Sequence, residues 1–114
     1  MPLTKGQIER VANLVDELAA CIHIAAKILN FGFGGFHPVS KELNENILEE
    51  KLGAVEACIY LLRNAGDLNG KRMMMGMNRK IYSINEYGRD ETNIILCNKF
   101  LKDLLRLQED KNNG

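Results

Sequence analysis

The sequence lacks a net charge, a cysteine motif and a long apolar run. Its 15 basic and 15 acidic side chains give a formal net charge of zero, which argues against a general affinity for DNA or RNA through bulk charge. The three cysteines form no CxxC or Cys/His metal spacing, and such thiols are typical of a reducing compartment. No apolar run approaches the ~20 residues of a membrane span, and no signal-peptide pattern is present. We therefore expect a cytoplasmic protein without a membrane partner.

The periodicity of the apolar residues predicts an all-α fold, a helical bundle. Thr4 and Gln7 form a capping-box pattern that predicts the start of a long first helix. Apolar side chains then recur at helical spacing: Ile8, Val11, Val15, Leu18, Ile22, Ala25 and Leu29. A second stripe contains Ala12, Leu14, Cys21, Ile24 and Ile28. Because a helix that is apolar on two sides is buried on both, we expect this helix at the centre of the fold or at the interface of a homo-oligomer.

Glycine and proline in residues 31–38 predict a loop after the first helix. The phenylalanines of this loop either pack back on the core, which we expect, or line a pocket for a flat ring. A second helix is predicted to begin with Asn44 or Asn46 as its cap and to end near Gly66.

The remaining chain is predicted less completely. Residues 67–89 form either a short helix or an ordered lid, and they hold five basic and two acidic side chains. Asp90 or Thr92 caps a last helix, with Ile94, Cys97, Leu101, Leu104 and Leu105 on one face. We expect a single domain over residues 1–110, followed by a frayed tail at 111–114.

Two segments carry a resemblance to a known family. The first reads Leu14-Val15-Asp16-Glu17-Leu18-Ala19-Ala20 and continues to Asn30-Phe31-Gly32. The second begins at Asn44 and contains Leu48-Glu49-Glu50-Lys51-Leu52-Gly53-Ala54. Over about residues 10–66 the chain resembles the short MazG-like, all-α nucleoside triphosphate pyrophosphohydrolases, many of which are encoded by phages. Their helices carry an E-E-x-x-E motif, often an R-F-G turn, and an N-x-x-x-L-E-E-E-L-G-D segment that contains E-x-x-D.

The resemblance implies a Mg²⁺-dependent polyphosphate hydrolase that forms dimers or tetramers. Carboxylates from two helices present hard oxygens to Mg²⁺, and the metal activates water and neutralises the charge that develops on the polyphosphate. Here Asp16 and Glu17 fill the first two acidic positions, but Ala20, Lys51 and Ala54 occupy the other three. We therefore predict neither a catalytic residue nor a metal cofactor. A shifted Mg²⁺ site of Asp16, Glu17 and Glu50 is the alternative.

The substitutions predict a basic pocket in place of the metal site. Asp16, Ala20, His23 and Lys27 follow helical spacing, and Lys51 would face them from the second helix and bind phosphate directly. Four basic residues of the middle segment would close this pocket: Arg72, Arg79, Lys80 and Arg89. The predicted ligand-binding set is therefore Lys51, Asp16, Glu17, His23, Lys27, Phe31, Arg72, Arg79 and Lys80.

Three functions follow from the sequence. The first is the binding of a nucleotide, or of a nucleotide-derived small molecule, without efficient hydrolysis. The resemblance to phage proteins implies a viral version of it that sequesters a nucleotide immune signal in the host cytoplasm. The second is an active pyrophosphohydrolase with a rearranged Mg²⁺ site. The third is a structural or interaction protein that has kept only the fold.

Overall fold

A computed structural model of the protein describes residues 2–113, which contain four α-helices. They are α1 (Lys5–Phe31), α2 (Asn44–Asn64), α3 (Gly70–Tyr87) and α4 (Glu91–Asn113). The all-α prediction is confirmed. The described residues hold no β-strand beyond one isolated bridge between Phe36 and Leu43. None of these helices is long and apolar enough to cross a membrane.

The chain divides into two compact units, each built from a pair of helices. The first unit ends at Leu68 and consists of α1 packed on α2. The second begins at Asn69 and consists of α3 packed on α4. Both units fall within the span that the sequence predicts as one domain. Residues 111–113, predicted as part of a frayed tail, continue α4, and Gly114 lies outside the described residues.

The predicted capping box of α1 is confirmed. The Thr4 side chain accepts a hydrogen bond from the backbone N–H of Gln7, and the Gln7 side chain accepts one from the backbone N–H of Thr4. At the other end, Gly32 has a φ of 81° and donates its backbone N–H to the carbonyl oxygen of Ile28. These contacts satisfy backbone groups that a helix end leaves without partners.

Only one of the two apolar stripes of α1 is covered within the chain. Leu14, Cys21, Ile24 and Ile28, from the second stripe, are buried or half-buried, which places them on the side of α1 that packs on α2. The first stripe is exposed along most of its length, and Ile22 is 71% exposed. The expectation that both sides are buried is therefore not met within one chain, because α2 covers only one face of α1.

The loop between α1 and α2 is held by hydrogen bonds to the first turn of α2. The backbone N–H groups of Asn44 and Glu45 donate to the carbonyl oxygens of Gly35 and Phe33. The Asn44 side chain is buried, and its Nδ2 donates to the carbonyl oxygen of Gly32 at 3.2 Å. Neither Asn44 nor Asn46 caps α2. The cap residue is Leu43, which makes no side-chain cap hydrogen bond. The prediction that Asn44 or Asn46 caps α2 was wrong. Carbonyl oxygens of the loop already accept hydrogen bonds from the backbone N–H groups of Asn44 and Glu45, and the Asn44 side chain donates to the Gly32 carbonyl.

Helix α2 ends at Asn64, close to Gly66, where the sequence predicted its end. Gly66 has a φ of 86°, a conformation that glycine adopts without steric cost. Its N–H donates to the Arg63 carbonyl, and the N–H of Asp67 donates to the Leu62 carbonyl, as in a Schellman motif. This turn brings the Asp67 carboxylate to α1, where Arg10 Nε donates to it at 2.8 Å and Gln7 Nε2 at 3.0 Å.

Most of the segment that the sequence predicted as either a short helix or an ordered lid is a helix in the second unit. Residues 70–87 are the helix α3, and the Asn69 side chain accepts hydrogen bonds from the N–H groups of Lys71 and Arg72 at its start. Asp90 caps α4 by accepting from the N–H of Asn93. The predicted face of α4 is buried or half-buried from Ile94 through Leu104, whereas Leu105 is exposed.

Candidate functional site

The paired helices α1 and α2 carry the two segments that resemble the MazG-like motif. Glu17 and Ala20 on α1, and Lys51 and Ala54 on α2, are all half-buried, whereas Asp16 is exposed. The Lys51 ammonium lies 3.7 Å from Glu17 Oε2. The Lys51 ammonium and the Glu17 carboxylate therefore face each other across α1 and α2.

The Glu17–Lys51 pair is loose. Its distance of 3.7 Å exceeds that of a hydrogen bond, and the side chains are 29% and 43% exposed, respectively. Part-exposed pairs of this kind are screened by solvent and contribute little to stability. Glu17 Oε2 is itself buried and has no hydrogen-bond partner among the described residues. A buried acceptor without a donor is costly, and a donor group on a ligand would satisfy it.

The residues around this pair do not fit Mg²⁺. An octahedral Mg²⁺ ion needs several oxygen ligands at about 2 Å, and here an ammonium group faces the one carboxylate. Glu50, named in the alternative metal site, is exposed beside Lys51. Residues 2–113 contain no group of three or more His, Cys, Asp or Glu side chains placed to hold a metal ion.

A cavity of about 340 Å³ lies where α1 ends and α2 begins. This size falls in the range of small-molecule sites. Six residues line it: Lys27, Phe31, Phe36, His37, Pro38 and Asn44. Phe31 and Phe36 are 73% and 60% exposed, so these rings do not pack back on the core as we expected. They form part of the wall of a pocket, the other outcome that the sequence allowed.

The His37 ring beside this cavity is held by hydrogen bonds within its own loop. His37 Nδ1 accepts hydrogen bonds from the backbone N–H groups of Val39 and Ser40, which leaves Nε2 to carry the proton of a neutral ring. The Lys41 ammonium lies 5.5 Å from the centre of the Phe36 ring, within the range of a cation–π contact. Lys27 is the lysine among the six lining residues, whereas Lys41 does not line the cavity and contacts it only through the Phe36 ring.

The basic residues do not form the single pocket floor that the sequence predicts. Lys27 follows Glu17 by ten residues, which corresponds to about 15 Å along a helix axis, and Asn44 precedes Lys51 by seven residues, or about 10 Å. The cavity and the Glu17–Lys51 pair are therefore two separate points along the same helix pair. His23 is exposed and takes part in neither.

The remaining predicted ligand residues belong to the second unit. Arg72, Arg79 and Lys80 are exposed on α3, and Arg89 is exposed between α3 and α4. Their predicted role in closing a pocket over α1 and α2 stays a prediction.

Four residues of the cavity were missing from the predicted set: Phe36, His37, Pro38 and Asn44. The phenylalanines of a glycine-rich loop were a usable signal for Phe36. For Asn44 there was none, because asparagine at the start of a helix is ordinarily read as a cap.

A second cavity, of about 400 Å³, lies at the other end of the helix pair. Its lining includes the Asp67 carboxylate and apolar side chains such as Leu3 and Val11, but no cationic side chain. The cavity beside Lys27 therefore suits an anionic ligand better.

No protein-family model, no curated protein and no solved structure matches this chain.

Proposed function

We propose that this chain binds a nucleotide, or a nucleotide-derived small molecule, without hydrolysing it efficiently, and that it derives from a MazG-like pyrophosphohydrolase. The cavity beside Lys27 carries the proposal. It combines aromatic rings with a cation in about 340 Å³, and a nucleotide needs both, because its base stacks on aromatic faces and its phosphates bind cations.

The lining groups support an assignment of each part of the ligand. Phe31 and Phe36 offer ring faces to the base, and His37 Nε2 offers a hydrogen-bond donor. Lys27 offers an ammonium to the first phosphate. Further phosphates would extend along the helix pair towards Lys51, whose position about 10–15 Å away suits a ligand with an extended polyphosphate or a second nucleotide.

The absence of efficient hydrolysis follows from the motif positions. Pyrophosphohydrolysis in the family needs carboxylate-bound metal to activate water and neutralise phosphate charge. Lys51 supplies positive charge to phosphate directly and cannot activate a water molecule in the manner of Mg²⁺. Ala20 and Ala54 remove two further negative charges that would repel the ligand.

Sequestration of a nucleotide immune signal by a phage protein is the concrete biological version of this proposal. It is supported only by the resemblance to phage-encoded relatives, because a fold does not determine a function.

Two other functions compete with the proposal. An active hydrolase would use Asp16, Glu17 and Glu50 around Mg²⁺, but Asp16 and Glu50 are exposed while Glu17 faces Lys51. A protein-interaction module is favoured by the exposed apolar stripe of α1. Neither alternative accounts for the aromatic cavity beside Lys27.

The test is calorimetric titration in EDTA with ATP, GTP, CTP, UTP and cyclic di-AMP. We expect at least one of these to bind the wild type. A charge-assisted hydrogen bond contributes roughly 1.5–3 kcal/mol, so Lys51→Glu should weaken that binding about ten- to a hundredfold. Lys27→Ala, at the cavity, should also weaken it, and His23→Ala serves as the exposed control on the same helix and should have little effect.

Three results would decide against the proposal. Unchanged affinity in Lys51→Glu would show that the altered motif is decay of an unused site. Mg²⁺-dependent release of pyrophosphate, abolished by Glu17→Ala, would establish the hydrolase. A lack of binding to any probe, with or without Mg²⁺, would favour the interaction module.

A further inference from the structure

We infer that the second unit binds single-stranded nucleic acid, with one unstacked base in a cavity between α3 and α4 and the phosphates on the exposed cations of both helices. The site lies wholly within the unit that begins at Asn69. It does not depend on the nucleotide site proposed for the first unit.

The zero net charge of the chain is not shared by its two units. The first unit contains six basic and nine acidic side chains, whereas the second contains nine basic and six acidic ones. On α3, four exposed cations accompany a single acidic residue, Glu86. Both ion pairs among residues 2–113 lie in the first unit, so no acidic side chain within 4 Å neutralises these cations. Cations in this state attract a chain of phosphates, because each contact releases counterions.

The cavity between α3 and α4 has a volume of about 210 Å³. This volume is below the range of typical small-molecule sites, and it suits one flat ring rather than a whole nucleotide. Three leucines and three polar residues line it: Leu101, Leu104, Leu105, Asn78, Tyr82 and Gln108. The two amides each offer a donor and an acceptor, the pair of groups with which asparagine and glutamine recognise the edge of a base.

The Asn78 amide lacks a partner that a base would supply. Its Oδ1 is buried and accepts no hydrogen bond among residues 2–113, and a buried acceptor in this state is costly. Rotation about the last side-chain bond of asparagine is soft, so the amide can turn this oxygen towards an N–H donor in the cavity. The ring of Tyr82, 58% exposed at the same cavity, offers a face on which a base can stack.

Cations lie beside the cavity on both helices. Arg79 precedes Tyr82 by three residues and Lys102 precedes Leu105 by three, and residues at this spacing are neighbours on a helix surface. Lys102 also lines a groove on α4 with Lys99 and Arg106. Lys99 and Arg106 are separated by about 10 Å along the helix axis. One phosphate does not span this distance, whereas a strand carries a phosphate at every nucleotide.

Fluorescence anisotropy of the full chain with labelled single-stranded DNA of about 12 nucleotides and mixed sequence tests the inference. The comparison probes are a duplex and an abasic strand of the same length. We expect the base-bearing single strand to bind most tightly, because a paired base cannot enter the cavity and an abasic strand has none to insert.

Asn78→Leu should weaken binding of the base-bearing strand about tenfold and leave the abasic strand unchanged. Because Asn78 Oδ1 has no partner to lose, the substitution should not lower the midpoint of urea unfolding. Gln108→Leu repeats this test at an exposed residue of the same cavity, where folding is less at risk.

Lys102→Gln should weaken binding of both strands and reduce the salt dependence of log Kd by about one. Lys5→Gln, which removes an exposed cation of the first unit, is the matched control and should change neither. Three results would overturn the inference: no binding of any strand at about 50 mM salt, equal binding of base-bearing and abasic strands, or unchanged affinity in both cavity variants. Preferential binding to vesicles of equimolar phosphatidylcholine and phosphatidylserine would also overturn it and assign the cations to a membrane surface.

Discussion

Two residues near helix ends, Thr4 and Asn44, differ in whether their hydrogen-bond partners are local in sequence. Thr4 and Gln7 make a reciprocal pair of hydrogen bonds that a four-residue motif predicts. Asn44 was predicted as a cap and instead uses its side chain to bind the loop at Gly32. The difference arises because the partner of Asn44 lies twelve residues away, whereas capping motifs are local and can be identified without the fold.

Asp67 is a second residue whose role depends on contacts distant in sequence. Its carboxylate accepts hydrogen bonds from Gln7 and Arg10, sixty and fifty-seven residues earlier. The Gln7 hydrogen bond first, and then the Arg10 hydrogen bond, lower the pKa of Asp67 below its ordinary value of 3.8. No sequence pattern indicates this contact, although Gly66 marks the turn that makes it possible.

The lowered pKa of Asp67 makes the stability of the first unit depend on pH. A carboxyl whose pKa is depressed by folding stabilises the folded state above its unfolded pKa, and this contribution is lost as the pH falls through the folded pKa. We therefore expect Asp67→Asn to lower the midpoint of urea unfolding at about pH 6, and the difference from wild type to shrink below pH 3.8.

Asp16→Asn is the matched control, because Asp16 is exposed on α1 and takes part in neither ion pair of the described residues. It should change the midpoint little at either pH. If the Asp67→Asn difference were the same at pH 6 and at about pH 2, the charge of Asp67 would not be the source of the stabilisation.

Among the structural elements, α1, α2 and α4 were predicted well, whereas α3 and the loop between α1 and α2 were predicted poorly. The bounds of α1 and α2 follow from a capping box, two glycines and regular apolar spacing. Residues 67–89 gave no assignment because the consecutive methionines Met73, Met74 and Met75, followed by Gly76, do not by themselves distinguish a helix from an ordered lid. In the structure Asn69 caps this segment as α3, while Ile81 and Ile84 are half-buried.

The loop between α1 and α2 is more ordered than its glycines indicate, and its geometry forms the cavity. Gly35 sits where a Cβ atom would lie 2.8 Å from Asn44 Nδ2 and 3.0 Å from the Phe31 carbonyl oxygen. At Gly34, one residue earlier, a Cβ would meet nothing within 4 Å. Glycine is therefore needed at position 35 and not at position 34.

We predict that Gly35→Ala lowers the free energy of unfolding by about 1–3 kcal/mol, since the added methyl group forces Asn44 and the end of α1 apart. Gly34→Ala should be neutral or slightly stabilising, because it reduces the freedom of the unfolded chain without a clash. Chemical denaturation of both variants checks this. Equal destabilisation by the two substitutions would show that the close approach at Gly35 does not constrain the loop.

At the scale of the whole molecule, the sequence predicts the fold class but not the distribution of functional residues. Of the positions that the resemblance singled out, Glu17 on α1 and Lys51 on α2 face each other at 3.7 Å. The sequence did not predict that Lys51 faces Glu17 while Lys27 lines the cavity, because Glu17 and Lys27 lie ten residues apart, about 15 Å along the helix axis.

Mass spectrometry of released small molecules tests whether the chain holds a nucleotide without metal. The purified protein is incubated in EDTA with a small-molecule extract of cells, washed and denatured, and the released molecules are identified. We predict that a nucleotide or nucleotide-derived molecule is enriched with the wild type and depleted with Lys51→Glu. Release of no nucleotide from the wild type, or of equal amounts from both proteins, would contradict metal-free nucleotide binding that depends on Lys51.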